Sequence, residues 1–534
     1  MLPPVHAITY DVGTTGVKTC LFEIAEKISL IESAYGGYGL YMTGDGGAEQ
    51  DPEEWWSAIC RTTKSVLEKS GVRDIAAVSF CSQMQCLVLV DKDGNPVRRA
   101  MSYMDNRAYR QFAKGMAHGI TINGLNARKL FSSLAITKAV AASVKDPVWK
   151  YKWVQENEPD NFARVYKWLD AKEYLISRFT DTYVMTEGSA YATLLYDTRP
   201  GRRGFSKPLC RMLGVDSAHL PDIIKSTDQT GTITYDASRE LGLAAGTPVY
   251  GGGGDAELIG VGIGAVDLGE THVYLGTSGW VSTVTDRQLV DTTSMIAAIV
   301  GPQEGRYHYF AEMETAGKCL EWVRDHLALD EIGVYLEKKN VTESLESMYL
   351  SLYDYLCEVV CSVPAGSQGV IFTPWLHGNR CPFEDANARG VFFNIGIDTG
   401  KSVLIRAVIE GICYHIRSMM EAQEKRIITS ETIMAAGGGA TSPVICQILA
   451  DVLGRRVATL PHPQNAGAYG AAILIAVGMG RIPSIERAKS LLPGYTIFAP
   501  NPEHKAIYDK NYRVFQSLYQ NNKKSFMALN ACTG

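Results

Sequence analysis

Pro248-Val249-Tyr250-Gly251-Gly252-Gly253-Gly254-Asp255, an apolar run from Ala256 to Ala265, then Val273-Tyr274-Leu275-Gly276-Thr277-Ser278-Gly279-Trp280: the rest of the chain is read from this stretch. Four glycines leave bare backbone beside Asp255, so a bulky ligand can come close to that carboxylate. Asp255 also stands where an N-cap belongs, ahead of a helix rich in Ile, Leu, Val and Gly, and capping alone is one reading of it. The other is a general base at the rim of a cleft. The two are compatible, because a helix N-terminus favours an ionised carboxylate.

The second part of the stretch has an earlier counterpart. Tyr10-Asp11-Val12-Gly13-Thr14-Thr15-Gly16-Val17 lines up with Val273 to Trp280, Gly13 falling on Gly276. Ile8, Tyr10 and Val12 alternate, as do Val17, Thr19 and Leu21, which predicts a β-hairpin around the Gly/Thr turn. Such a turn offers N–H groups and hydroxyls to phosphate oxygens. Asp11 before it and Lys18 after it suit a Mg²⁺-phosphate group. The second copy has Tyr274 in place of the acid, so one turn would hold metal and the other phosphate alone. Two related domains facing each other are the reading; chance recurrence of a short Gly/Thr string is the alternative.

Composition sets the frame. The 534 residues exceed what one core organises, so two or more domains are expected. A net charge of −5 without a basic block argues against nucleic acid as the main partner. Met1 to His6 carries no basic n-region and no long apolar run follows, so no signal peptide is expected. The longest apolar stretches are too short to span a bilayer. The 12 cysteines form no CxxC pair, which suits reduced, buried thiols in a cytoplasmic protein; Cys357 and Cys361 would share a helix face. No HExxH, P-loop or GxSxG string is present.

Along the chain, Ala76 to Val90 predicts two strands around Ser82-Gln83-Met84-Gln85-Cys86, and Asp93-Gly94-Asn95-Pro96 a turn. Tyr103-Met104-Asp105-Asn106-Arg107 places an acid and a base two apart after an aromatic, suited either to hydroxyl recognition or to a loop salt bridge. Residues 110–180 read as largely helical, with Tyr166 to Leu175 as one amphipathic segment. Ala245-Gly246-Thr247-Pro248 is the expected joint, giving domains 1–249 and 250–534. Leu404 to Met419 reads as a long core helix. Ile433-Met434-Ala435-Ala436 reads as a strand entering Gly437-Gly438-Gly439-Ala440-Thr441, with Ser442 capping a helix that Pro443 begins and Gly454 ends. Ala466 to Gly480 predicts a packed helix, and the tail from Asn501 a surface helix.

These pieces, in this order, resemble the FGGY family of carbohydrate kinases, of the actin/hexokinase/Hsp70 superfamily. Asp11 to Lys18 is similar to its first phosphate motif and Gly253-Gly254-Asp255 to its catalytic segment. Leu275 to Gly279 is similar to its second phosphate motif, and Gly437 to Ala440, with Gln447, Ala450 and Asp451, to its adenosine motif. Lys167 to Leu175 and Arg389 to Gly411 resemble its longer signatures. The resemblance implies an α/β fold of two RNase H-like domains with a cleft between them, and ATP- and Mg²⁺-dependent transfer to a small-molecule sugar in the cytoplasm, with a homodimer left open. It implies Asp255 as base; Gly13, Thr14, Thr15, Lys18, Gly276, Thr277 and Ser278 at the phosphates; Asp11 at the metal. Gly317, Gly438, Gly439 and Ser442 would frame the nucleoside, and Gln83, Met84, Gln85 and Asp105, with Asp255, would meet the sugar. Ser82 to Cys86 is similar to the Gly-Gln-Met-His-Gly string of xylulokinases, with Gln85 for His and Cys86 for Gly, and Ala256 stands where those enzymes carry Asn. A ketopentose such as D-xylulose, phosphorylated at a terminal hydroxyl, is the first expectation. Another ketose or polyol, or a non-catalytic ATP-driven clamp, is the alternative.

Overall fold

The computed structural model describes residues 3–327 and 358–531. Contacts divide the chain into two units: Met1–Gly262 with Ile299–Arg306 and Gly467–Leu492, and Ile263–Ala298 with Tyr307–Ala466 and Pro493–Gly534. The division falls after Gly262, later than the joint expected at 249/250. The reason is the sheet: the strand Gly253–Gly254 pairs with Cys81 and Ser82, which keeps Asp255 and its helix in the first unit.

In the first unit β1 (Val5–Val12), β2 (Gly16–Ile24) and β3 (Ile28–Gly37) form an antiparallel meander. β4 (Ala77–Ser82) lies parallel to β1, and β5 (Gln229–Thr232), β6 (Pro248–Tyr250) and β7 (Gly253–Gly254) complete the sheet in the order β5-β6-β4-β1-β2-β3, with β7 also on β4. Strands buried on both faces carry continuous apolar runs, and β4 is buried along its whole length. One face packs on α1 (Pro52–Ser70), whose Trp55, Ile59 and Val66 join the β1 core residues Ile8, Tyr10 and Val12. Asp51 caps α1, accepting from Glu53 N at 3.0 Å, and Gly71 ends it in the left-handed region at φ +71°. α2 (Pro147–Asn157), α3 (Ala171–Thr180), α4 (Glu187–Ala192) and α5 (Asp255–Gly262) follow.

The second unit repeats the plan. β8 (Thr271–Leu275), β9 (Gly279–Thr285) and β10 (Tyr307–Met313) form the meander; β11 (Thr432–Ala436) and β12 (Arg456–Thr459) add in parallel, and β13 (Thr496–Phe498) closes antiparallel. The order β10-β9-β8-β11-β12-β13 matches β3-β2-β1-β4-β6-β5 strand for strand, within an eight-stranded sheet. α6 (Gly317–His326), α7 (Lys401–Glu424) and α8 (Pro443–Leu453) are among its main helices, as is α10 (Lys505–Asn530), while the intervening α9 (Ala466–Gly478) belongs to the first unit from Gly467 onward.

Two expectations change. Lys167–Leu169 is not the start of a helix but a strand paired with Val88–Val90; α3 then begins after the Asp170 cap and is buried nearly all round rather than amphipathic. The tail helix α10 is no mere surface element: Tyr508, Tyr512, Phe515 and Leu518 lie in the second unit's core. The Cys357–Cys361 helix face lies partly outside the described residues. No described helix is long and apolar enough to cross a membrane.

Candidate active site

In the first unit, three segments leave the sheet side by side. Asp11 pairs with Cys81 and Cys81 with Gly253; Val12 pairs with Ser82 and Ser82 with Gly254. The carboxyl ends of parallel β1, β4 and β7 therefore stand level, and beyond them run the Gly13–Gly16 turn, the Ser82–Cys86 string and Asp255. Ligands of α/β sheets gather beyond such strand ends.

Asp255 is the first residue of α5, half-buried, and its Oδ1 accepts from Ala256 N at 2.8 Å. Asp255 thus stands inside the first turn, one position past the N-cap expected of it, with a half-buried carboxylate. The glycines before it act differently from the expectation. All four are buried, and what approaches them is protein. Gly252 has φ +66°, and a Cβ there would lie 2.1 Å from Phe80 O; one on Gly254 would lie 2.1 Å from Met84 Sδ. Bare backbone here lets Met84 and β4 close in, so the Ser82–Cys86 string packs against the residue before Asp255.

The first turn closes through Gly13 N to Gly16 O at 2.9 Å, as the sequence implied. Its carbonyls are held inward: Tyr38 Oη donates to Gly13 O and Gly16 O, Tyr35 Oη and Tyr38 N to Thr15 O. The Thr14 and Thr15 N–H groups and hydroxyls, the Thr14 hydroxyl lying 3.2 Å from Tyr103 Oη, are the turn's groups suited to an anion. Asp11 lies at its foot, opposite Lys18 across the hairpin. Burial raises the Asp11 pKa, and Lys18 and Cys81 oppose the shift. A Cβ at Gly467 would come 3.0 Å from Asp11 Oδ2 and 2.6 Å from Cys81 Sγ, so glycine keeps room beside this carboxylate. No cluster of three or more His, Cys, Asp or Glu able to hold a metal occurs among the described residues. A single carboxylate fits Mg²⁺, which keeps several waters and binds through one or two carboxylates plus substrate phosphates.

The sugar-side residues separate. Met84 and Gln85 are half-buried, while Gln83 is nearly covered and donates to Gln50 Oε1 at 2.9 Å. Asp105 departs from the expectation. It is fully buried, and its oxygens accept from Arg107 and from Ala48 N at 3.0 Å. These contacts fit the salt-bridge reading, with Asp105 holding its loop.

Sequence reasoning missed the groups that fix the string. Gln85 adopts φ +64°. Its N–H donates to Asp170 at 2.7 Å, as does Cys86 N at 2.9 Å, and its carbonyl accepts from Lys150 Nζ at 2.8 Å. Lys150 also donates to Ser102 O at 2.7 Å. Burial lowers the Lys150 pKa to about 8 and raises that of Asp170 to about 7, where Glu173 adds to the shift. A lysine amid Val148, Trp149 and Tyr151 was the available signal. Beneath Asp255, Glu257 is fully buried, with its pKa raised to about 8 by burial; Lys172 opposes the shift.

The second unit offers the matching arrangement. Tyr274 pairs with Ala436, so the Gly276–Ser278 turn and Gly437–Gly439 leave adjacent parallel strand ends. Gly317 N donates to Gly276 O at 2.7 Å, and a Cβ on Gly317 would lie 2.5 Å from that oxygen. Gly437 takes φ +93°, and a Cβ on Gly439 would lie 2.7 Å from Leu275 Cβ. Ser442 caps α8, accepting from Ile445 N, as expected. Gly317 and Gly439 border an apolar crevice with Leu275, Leu320, Ile409 and Ile412. The turn and both segments expected at the nucleoside are thus brought together in one unit, with Thr277 exposed and Ser278 and Gly438 half-buried.

Comparison with known proteins decides the family. The N-terminal domain model of the FGGY family of carbohydrate kinases matches residues 6–262, and its C-terminal domain model residues 272–479. The chain belongs to the FGGY family of carbohydrate kinases. Xylulose kinase from Staphylococcus epidermidis is 28% identical over 517 residues, 96% of each chain. The structure of gluconate kinase from Lactobacillus acidophilus superposes with a TM-score of 0.82 at 25% identity, covering 99% of this chain and 100% of that one. Ligand-bound xylulose kinase from the same organism gives 0.82 at 25%, covering 98% and 99%. This FGGY chain therefore has the two-domain actin/hexokinase-like fold and is a sugar kinase.

Proposed function

We propose that this kinase transfers the γ-phosphoryl group of ATP to a terminal hydroxyl of a neutral ketose, D-xylulose first. The observation that carries the reading is the level alignment of Gly13–Gly16, Ser82–Cys86 and Asp255 at one sheet edge. That alignment supports a reading in which the turn takes phosphate, the string meets the acceptor and Asp255 is the base. Met84 and Gln85 offer a thioether and a neutral amide, which suit an uncharged polyol, and the xylulose kinase relatives support the same class.

Phosphoryl transfer asks for positioning, charge neutralisation and an oriented nucleophile. Asp255 accepts the proton of the acceptor hydroxyl. The hydroxyls and N–H groups of Thr14 and Thr15, with Lys18, take phosphate oxygens, as do Thr277 and Ser278 in the second unit. Gly317, Gly438 and Gly439 admit the nucleoside, and Ser442 orders the helix beside it. Asp11 would hold a Mg²⁺ ion brought in with ATP, directly or through water, and that ion would supply neutralisation of phosphate charge. Dependence on ATP, and the burial of most cysteines among the described residues, support a cytoplasmic enzyme.

Gluconate is the second reading, favoured by the gluconate kinase structure at equal similarity. A coupled assay of purified protein over D-xylulose, other ketopentoses, polyols and gluconate tests both. Highest kcat/KM on xylulose supports the proposal. Highest kcat/KM on gluconate transfers it to the aldonate, and sugar-independent ATP turnover with no phosphorylated product rejects it.

A further inference from the structure

Thr14 joins the first phosphate turn to both acceptor-side strings. Its carbonyl accepts from Gln50 Nε2 at 2.6 Å, and Gln50 Oε1 accepts from Gln83 Nε2 at 2.9 Å. Its hydroxyl lies 3.2 Å from Tyr103 Oη. The far side is closed by Lys150, which ties Gln85 O to Ser102 O. The result is a ring running from Thr14 through Gln50, the Gln83–Gln85 string, Lys150 and the Ser102–Tyr103 loop back to Thr14.

Gln50 is the least replaceable link. It is fully buried, on the short strand Ala48–Gln50 that pairs with Ala100–Met101. Its amide donates at one end and accepts at the other, so a flip would set acceptor against acceptor and donor against donor. Lys150 and Asp170 hold the other end of the string through the backbone of Gln85 and Cys86. A string held there moves Gln83 only by moving Gln50 with it.

We propose that Gln50 is a positioning residue that couples acceptor binding to the first phosphate turn, so that ATP binds more tightly once the acceptor is in place. The inference rests on the kinase reading above. Seating the acceptor against Met84 and Gln85 settles Gln83, Gln83 orients Gln50, and Gln50 fixes the Thr14 carbonyl and with it the outward N–H face of the turn. By linkage, ATP tightens the acceptor by the same factor. An unoccupied acceptor site leaves the turn poorly set for phosphate, which limits transfer to water.

The test is calorimetric titration of the non-hydrolysable analogue AMP-PNP with Mg²⁺, with and without the acceptor the substrate panel selects, D-xylulose or gluconate. Typical coupling is about 5- to 150-fold, and the wild-type protein is expected within that range. Gln50→Met keeps length and burial and removes both polar ends. It is expected to bring the factor to within about twofold of unity, with each ligand alone bound within about threefold of wild type. A structural lesion would weaken each ligand alone, so that split isolates coupling. Full coupling in Gln50→Met overturns the proposal, as does wild-type protein that binds both ligands independently; neither touches the kinase assignment. Wild-type protein that binds no acceptor overturns that assignment and the proposal with it. If Gln50→Met does not fold, Tyr103→Phe deletes the second link to Thr14, and the same titration is expected to lose at least about threefold of the coupling. Undiminished coupling in that variant overturns the ring.

Discussion

At the scale of single residues, two carboxylates on one short helix serve opposite ends. Asp255 is half-buried at the helix start, and Glu257, two residues on, is wholly enclosed. Asp255→Asn removes a proton acceptor with little change of shape. It is expected to lower kcat by about 10²–10⁴-fold while acceptor affinity stays within about tenfold, read by steady-state kinetics and calorimetry. Near-normal turnover would refute the assignment. Glu257 gives a pH signature. Its folded pKa, about 8, lies above the ordinary 4.5, so the folded protein keeps a proton that the unfolded chain releases. The stability it lends is fully present below about pH 4.5 and is lost as pH rises through about 8. Glu257→Gln, neutral throughout, is expected to gain on wild type across that window by at most about 1.4 kcal/mol per pH unit, in denaturant melts at stepped pH. A gap that does not widen between pH 5 and 8 would show the carboxyl to be charged in place. Asp255 was legible because glycines and an apolar run frame it. Gln50 and Glu257 were not, because nothing local marks a polar residue as buried until distant strands enclose it.

At the scale of elements, the sequence showed punctuation better than partners. The Ser442 cap, Pro443 and the Gly454 stop were readable because each acts within one turn of the helix. Ser442→Ala is expected to cost about 1 kcal/mol in thermal unfolding and to raise the KM for ATP more than that for the sugar. Lys167–Leu169 misled, because its strand exists only by pairing with Val88–Val90, far away in sequence. The glycine run was readable as close approach, but not as approach by protein. Gly254→Ala tests that finding. The new methyl must displace the flexible Met84 side chain, whereas a methyl on Gly252 meets the Phe80 backbone at a left-handed position. The first is expected to leave a folded enzyme with sugar KM raised about tenfold and ATP KM nearly unchanged, since only the Ser82–Cys86 string, proposed to meet the sugar, moves. The second, facing both clash and backbone strain, is expected to cost more than about 3 kcal/mol and to appear as insoluble protein.

At the scale of the whole molecule, a short Gly/Thr string recurring once per half was enough to foresee two related folds. The matching strand orders bear that out far beyond the eight residues that suggested it. What could not be foreseen is which core each late segment joins. Gly467–Leu492 returns to the first unit: Tyr469 packs at a tilt on Phe22, with ring centroids 4.8 Å apart, Gly470 lies against Leu258 O, and Arg481 donates to Ile24 O. Apolar small-residue helices look alike whichever sheet they cover. A fragment of residues 1–262 alone is expected to be insoluble or protease-sensitive, and addition of a 467–492 segment through a flexible linker to restore resistance to limited proteolysis. A protease-resistant 1–262 fragment would show the returning segment to be dispensable. That returning segment also sets a timetable for biosynthesis. At elongation rates of about 5–20 residues per second, a ribosome that has finished Gly262 needs roughly ten seconds or more to release Gly467–Leu492. Throughout that interval the nascent amino-terminal half stays unsealed, with the apolar surface around Phe22 and Leu258 open to chaperones.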